Sequence, residues 1–156
     1  MAKQDKSLFR PDLVFFDMSC TDEWDFFKQL EAKLAPMGYV QDNWYEGITT
    51  REKKYPTGLR CPSIEVAIPH ADPEYIKKPY IAVIVPKEPI NFRHMAEVDD
   101  PVDAQLIMNL GVVRDGGQVE VLQTLMNIFA DDDKVADVMA QKTPEGMVAT
   151  ITKYFE

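Results

Sequence analysis

Cysteine is scarce in this 156-residue chain: only Cys20 and Cys61 occur. They lack the paired spacing of a zinc or dithiol site, so neither a disulfide framework nor a structural metal is implied. Long hydrophobic runs are missing too. The longest strongly apolar stretch, Tyr80-Ile81-Ala82-Val83-Ile84-Val85, falls far short of the roughly 20 residues of a membrane-spanning helix and reads as a buried strand. Met1-Ala2-Lys3-Gln4-Asp5-Lys6 leads into Pro11 without the apolar core of a signal peptide. That predicts a cytoplasmic protein with no direct membrane insertion. Basic side chains are outnumbered 17 to 26, for a net charge of −9; a nucleic-acid backbone or an anionic lipid surface would be repelled. There is no Gly-rich phosphate loop, no Gly-x-Ser-x-Gly element and no histidine-carboxylate motif at metal-ligand spacing. Nucleotide binding, serine hydrolysis and catalytic zinc therefore lack their usual residues.

What the chain does have is 46% hydrophobic residues, enough for the core of one domain spanning residues 1–156. Asp12 to Asp17 is rich in β-branched and aromatic residues and reads as a strand. Thr21 or Asp22 is placed to cap a helix carrying Trp24, Phe27, Leu30 and Leu34 at near-helical spacing, stopped by Pro36 and Gly38. Asn43 and Glu46 resemble a capping pair for a second helix, anchored by Trp44, Tyr45 and Ile48 and running through Lys54. A strand over Ile64 to Ile68 is closed by Pro69. Asp72-Pro73-Glu74 then reads as a helix start, with Asp72 as cap. Strands are expected at Tyr80 to Val85 and at Ala104 to Val113. The remaining helices carry Val119, Leu122, Leu125, Met126 and Phe129, then start at Asp131 and at Thr143-Pro144-Glu145 and end in a stripe of Met147, Val148, Ile151 and Phe155. Strands alternating with helices predict an α/β domain, a mixed β-sheet sandwiched between helices, with ligand sites at strand ends.

Two histidines occur, which narrows the search for a neutral nucleophile. His70 follows the stiff Ile68-Pro69 pair at a strand end; on local features alone a structural histidine is the simpler reading and a catalytic one the alternative. His94 reads as a loop histidine. The acidic group Glu97, Asp99, Asp100 and Asp103 is most simply a solvated loop, with calcium binding as the alternative.

Three segments taken together narrow these readings. Arg51-Glu52-Lys53-Lys54-Tyr55-Pro56-Thr57-Gly58-Leu59, then Val66-Ala67-Ile68-Pro69-His70-Ala71, then Asp99-Asp100-Pro101-Val102 resemble the signature of the fructose/mannitol-type IIA family of the bacterial phosphoenolpyruvate-dependent sugar phosphotransferase system. With Leu34 to Val40, the resemblance runs from about residue 21 to 156. It implies that His70 accepts a phosphoryl group from the phosphocarrier HPr and passes it to a cognate IIB component, which serves a membrane IIC, with no metal or organic cofactor. It also implies that Arg51 binds phosphoryl oxygens through its fork. Thr57 has two readings, a hydroxyl donor to the same oxygens or a cap of the Pro-Thr-Gly turn. Where mannitol- and fructose-type members carry a second histidine, this chain has Gln118, which resembles the galactitol branch. A regulatory paralogue of the nitrogen-related type, acting by protein docking, is the alternative.

Overall fold

The structure, a computed structural model, describes residues 7–111 and 117–155, the side chains of residues 117–119 excepted. Strand β1 (Phe9–Phe15) is followed by helices α1 (Glu23–Leu34) and α2 (Trp44–Lys54). Two three-residue strands, β2 (Gly58–Arg60) and β3 (Glu65–Ala67), then lead through a 3-10 turn at Pro73–Tyr75 to β4 (Tyr80–Ile84). Strands β5 (Ile90–Arg93), β6 (Pro101–Ala104) and β7 (Leu106–Gly111) precede α3 (Gly117–Phe129), α4 (Asp132–Met139) and α5 (Pro144–Lys153).

The main sheet has the order β1-β4-β7-β3-β2, and β5 pairs with β6 in a separate ribbon. It is mixed: β1 runs parallel to β4 and β3 parallel to β7, whereas β4–β7 and β2–β3 are antiparallel. Alternation along β4 divides the core into two layers. Tyr80, Ala82 and Ile84 face a cluster with Phe26, Phe27 and Leu30 of α1, Trp44 and Ile48 of α2 and Phe92 of the ribbon. Ile81 and Val83 face the opposite cluster, with Val121, Leu125 and Ile128 of α3, Val138 of α4 and Met147 and Ile151 of α5. Because successive strand residues point to opposite faces, a wholly buried strand such as β4 requires helices on both sides, and the expected α/β sandwich is what forms.

Local chemistry sets most helix starts where the sequence predicts them. Asp22 accepts from the Asp25 amide, Asp131 from the Asp133 and Lys134 amides, and Thr143 from the Gly146 amide. Gly38 ends the α1 region in the left-handed region at φ +80°, which glycine tolerates without a Cβ penalty. Three expectations are corrected. Asn43 makes no side-chain capping bond, its ψ of 17° having turned the backbone out of the extended form a capping box uses. The strand expected over Ala104 to Val113 forms β7 only from Leu106, entering the main sheet, while Ala104 is the last residue of β6, which pairs in the ribbon; Val112 and Val113 lie outside the described residues. Met126 is exposed rather than core, since Val121, Leu125 and Ile128 complete the buried stripe of α3 without it.

Candidate functional site

Helix α2 presents its stripe of Trp44, Ile48 and Glu52 to the core, four residues apart on one face. Arg51, one position earlier, turns outward at the helix end. One terminal nitrogen, Nη2, lies 3.1 Å from His70 Nε2, and the other, Nη1, donates to Asp72 Oδ1 at 3.2 Å. The guanidinium also rests against the Tyr55 ring, 5.5 Å from its centroid. Its Nε is buried and finds no partner among the described residues. Asp72 is thus a partner of Arg51 and not the helix cap that the sequence suggests: the 3-10 turn after it has no side-chain cap bond.

His70 is held by the end of β3 and by the neighbouring β7. The Pro69 carbonyl accepts from the Leu110 amide at 3.1 Å and from Asn109 Nδ2 at 3.0 Å. Asn109 is itself fully buried and accepts from the Tyr80 hydroxyl. The ring follows from this backbone. His70 Nδ1 lies 3.0 Å from the Ile68 carbonyl oxygen, which can only accept, so Nδ1 carries the proton. Arg51 can only donate, so Nε2 offers a lone pair. Burial, the largest influence, lowers the His70 pKa below the ordinary histidine value; the Ile68 carbonyl opposes this, and the Arg51 charge adds to the lowering. The imidazole is therefore neutral at neutral pH, with its nucleophilic nitrogen aimed at the guanidinium.

Thr57 is 6% exposed. Its amide donates to Glu52 Oε2 at 2.8 Å, and its hydroxyl donates to the same carboxyl at 2.9 and 3.0 Å. Burial pushes the Glu52 carboxyl up to about 8 despite these donors, with the neighbouring Glu23 carboxyl adding to the rise. Glu23, in the first turn of α1, is pushed up to about 7, chiefly by burial. Gly58 is a matter of space: a Cβ there would come within 2.5 Å of the Arg93 carbonyl oxygen.

Of the residues singled out in the sequence, Arg51 and His70 are in contact. Thr57 reaches His70 only indirectly, its carbonyl accepting from the Ile68 amide at 3.2 Å. Gln118 is in the first turn of α3, and its side chain lies outside the described residues. His94 follows β5 and bridges to Gly58, its Nδ1 accepting from the Ala96 amide. In the acidic loop, Asp100 pairs with Arg60, and the described residues hold no group of three or more potential metal ligands. No described helix is long and apolar enough to cross a membrane. Glu52 and Asn109 are not singled out in the sequence, and Asp72 and Tyr80 read there only as a helix cap and a strand residue. For Glu52 a signal existed: it continues the Trp44-Ile48 stripe, and a carboxylate on an apolar stripe is conspicuous. A cleft of about 350 Å³ opens beside Arg51, lined by Asn43, Gly47, Thr50, Tyr55, Asp72 and Tyr75 among others.

Comparison with known proteins adds the following. Residues 7–154 match the family described as "Phosphoenolpyruvate-dependent sugar phosphotransferase system, EIIA 2". The galactitol-specific EIIA component of Escherichia coli strain K12 is 25% identical over 118 residues, covering 76% of this chain and 78% of that one. Among solved structures, the nitrogen regulatory protein IIA-Ntr from Neisseria meningitidis superposes with a TM-score of 0.73 at 21% identity, covering 96% and 99% of the two chains. A complex of enzyme IIAMTL with phosphorylated enzyme IIBMTL from Escherichia coli matches with a TM-score of 0.72 at 19% identity, covering 91% of this chain and 95% of that one. These two show the shared fold.

Proposed function

The chain belongs to the phosphoenolpyruvate-dependent sugar phosphotransferase system EIIA 2 family, and from that premise we propose that it is a cytoplasmic, single-domain phosphocarrier whose acceptor is His70 Nε2. The supporting observation is the neutral ring clasped between the Ile68 carbonyl and Arg51. Phospho-HPr is the donor in this reading, and a cognate IIB component is the acceptor. The likeness to a IIA–IIB complex supports the latter. Similarity to a galactitol-specific component, together with Gln118 at the second-histidine position, favours galactitol as the sugar.

Nε2 attacks phosphorus in line, forming the new P–N bond as the donor's P–N bond breaks, and the electrons of the broken bond stay on the donor nitrogen. Positive charge then develops on the His70 ring, and the Ile68 carbonyl stabilises it at Nδ1–H. Arg51 moves from the consumed lone pair to the phosphoryl oxygens, and its unused Nε–H supplies a further donor. Gln118, at an amino-terminal helix turn, is the supporting donor; Thr57, whose amide and hydroxyl both donate to Glu52, supports the site from beneath rather than as the phosphoryl donor the resemblance suggests. This step needs placed charge and hydrogen bonds rather than a cofactor.

Phosphoenolpyruvate, enzyme I and HPr are expected to add one acid-labile phosphoryl group, which then passes to a galactitol-type IIB domain. Labelling that persists in His70→Ala would remove His70 as acceptor. Transfer to a different sugar's IIB but not the galactitol one would overturn the substrate assignment.

A further inference from the structure

We propose that Glu52 is a positioning residue for phosphoryl transfer: it fixes the orientation and tautomer of His70 through a continuous chain of hydrogen bonds. This deepens the proposed function and rests on it. The chain has four members. The Glu52 carboxyl receives both the amide and the hydroxyl of Thr57. The Thr57 carbonyl accepts from the Ile68 amide, and the Ile68 carbonyl accepts from His70 Nδ1–H.

The first two links join separate segments, and the last is local. Glu52 belongs to α2, Thr57 leads into β2, and Ile68 and His70 follow β3. Without the carboxyl, the Pro56-Thr57 peptide would have a buried donor with no acceptor, and such a group relocates toward one. Thr57 would then shift relative to Ile68, and the carbonyl that holds the ring proton would shift with it. The two peptide groups of Thr57 are not conjugated through its Cα, so the effect is one of placement rather than of charge relay. Its consequence is chemical nonetheless: which ring nitrogen carries the proton is set by the hydrogen bond the other makes, and only the Nδ1–H form leaves Nε2 free to attack. Helix α2 therefore grips both ring nitrogens, Nε2 directly through Arg51 and Nδ1 at two removes through Glu52.

Two variants separate this from a merely structural role. Glu52→Met keeps the buried volume and removes the acceptors, while Glu52→Gln keeps an acceptor oxygen for the Thr57 amide. Nitrogen-15 spectra of the His70 ring are expected to show the Nδ1–H tautomer in wild type and Glu52→Gln, and a mixture of tautomers in Glu52→Met. Single-turnover acceptance from phospho-HPr should fall about 10- to 100-fold in Glu52→Met, as for a reacting group displaced by a fraction of an ångström to an ångström, and stay within about threefold in Glu52→Gln. Unchanged tautomer and rate in folded Glu52→Met would overturn the proposal, as would a Glu52→Gln protein as slow as Glu52→Met. If Glu52→Met does not fold, Glu52→Leu, which also removes both acceptor oxygens, carries the same test, and a wild-type spectrum and rate there would overturn the proposal. The spectra read the ring without any phosphoryl donor, so a wild-type protein that takes no phosphate while Glu52→Met shows the tautomer change would sink the phosphocarrier reading and leave standing the role of Glu52 in fixing the ring.

Discussion

Replacing Arg51 by alanine tests the site most directly, because one side chain supplies both the contact to Nε2 and the expected clamp on the phosphoryl group. Losing a donor aimed at transition-state charge costs about 3 to 4 kcal/mol. The ground state loses a hydrogen bond as well, that from Nη2 to the His70 lone pair, which offsets about 1 kcal/mol. The remaining 2 to 3 kcal/mol corresponds to a rate of acceptance roughly 30- to 160-fold lower. Stability should hardly move. The Arg51 side chain is 29% exposed and that of Asp72 55%, and a pair so open to solvent contributes between about 0 and 1 kcal/mol. A second signature comes from charge. Arg51 helps to lower the His70 pKa, behind burial, so its removal raises that pKa, and the acid side of the rate profile moves toward higher pH. Quenched-flow transfer from phospho-HPr across a pH series reads both effects. An Arg51→Ala protein within threefold of wild type, with an unmoved acid limb, would refute the assignment of Arg51 to the transfer step.

Other outcomes follow from the same structure. Gly111→Ala should destabilise the protein by about 1 to 3 kcal/mol, because a Cβ there would lie 2.0 Å from the Tyr80 ring; an unchanged denaturation midpoint would mean that ring has room to move. The raised carboxyls of Glu52 and Glu23 bind protons that the unfolded chain has released, so their contribution is full below the ordinary glutamate range and is lost as pH rises toward about 7 to 8. Wild-type Tm should therefore fall between pH 5 and pH 8 relative to Glu52→Gln, and parallel curves would contradict a protonated Glu52. His94→Ala should leave acceptance within about threefold, as its Nδ1 is occupied by the Ala96 amide and nothing positions it as an acid or base; a folded variant without transfer would show otherwise.

Much of the fold was legible because its determinants are local. Asp22, Asp131 and Thr143 cap the helices they precede, and the apolar run at Tyr80 forms the buried β4. The short strands β2, β5 and β6 were not legible, for three or four residues carry too little periodicity, and their pairing depends on partners far along the chain. The site divides in the same way. The proline before His70 and its place at a strand end mark it as stiffly presented, but local features favour a structural histidine, and both His70 and Arg51 are singled out as site residues by resemblance. The network beneath them joins residues such as Asn109 and Pro69, or Tyr80 and Asn109, separated by 40 and 29 positions, and no local pattern encodes such meetings. Asp72 shows the converse error: the sequence supports a capping role, but a cation delivered by α2 takes the carboxylate first.

Arg51 and Glu52 are consecutive on α2, one turned to the surface and the other to the interior. About 100° of helix separates their side chains, so any roll of α2 that advances the reactive arm withdraws its anchor. A lineage drifting toward a new partner could not retune Arg51 by tilting this helix without loosening the histidine it serves. Adaptation to a different donor or acceptor would thus accumulate at the periphery, at Asp72 and Tyr55, where changes alter what approaches the ring while leaving its aim intact.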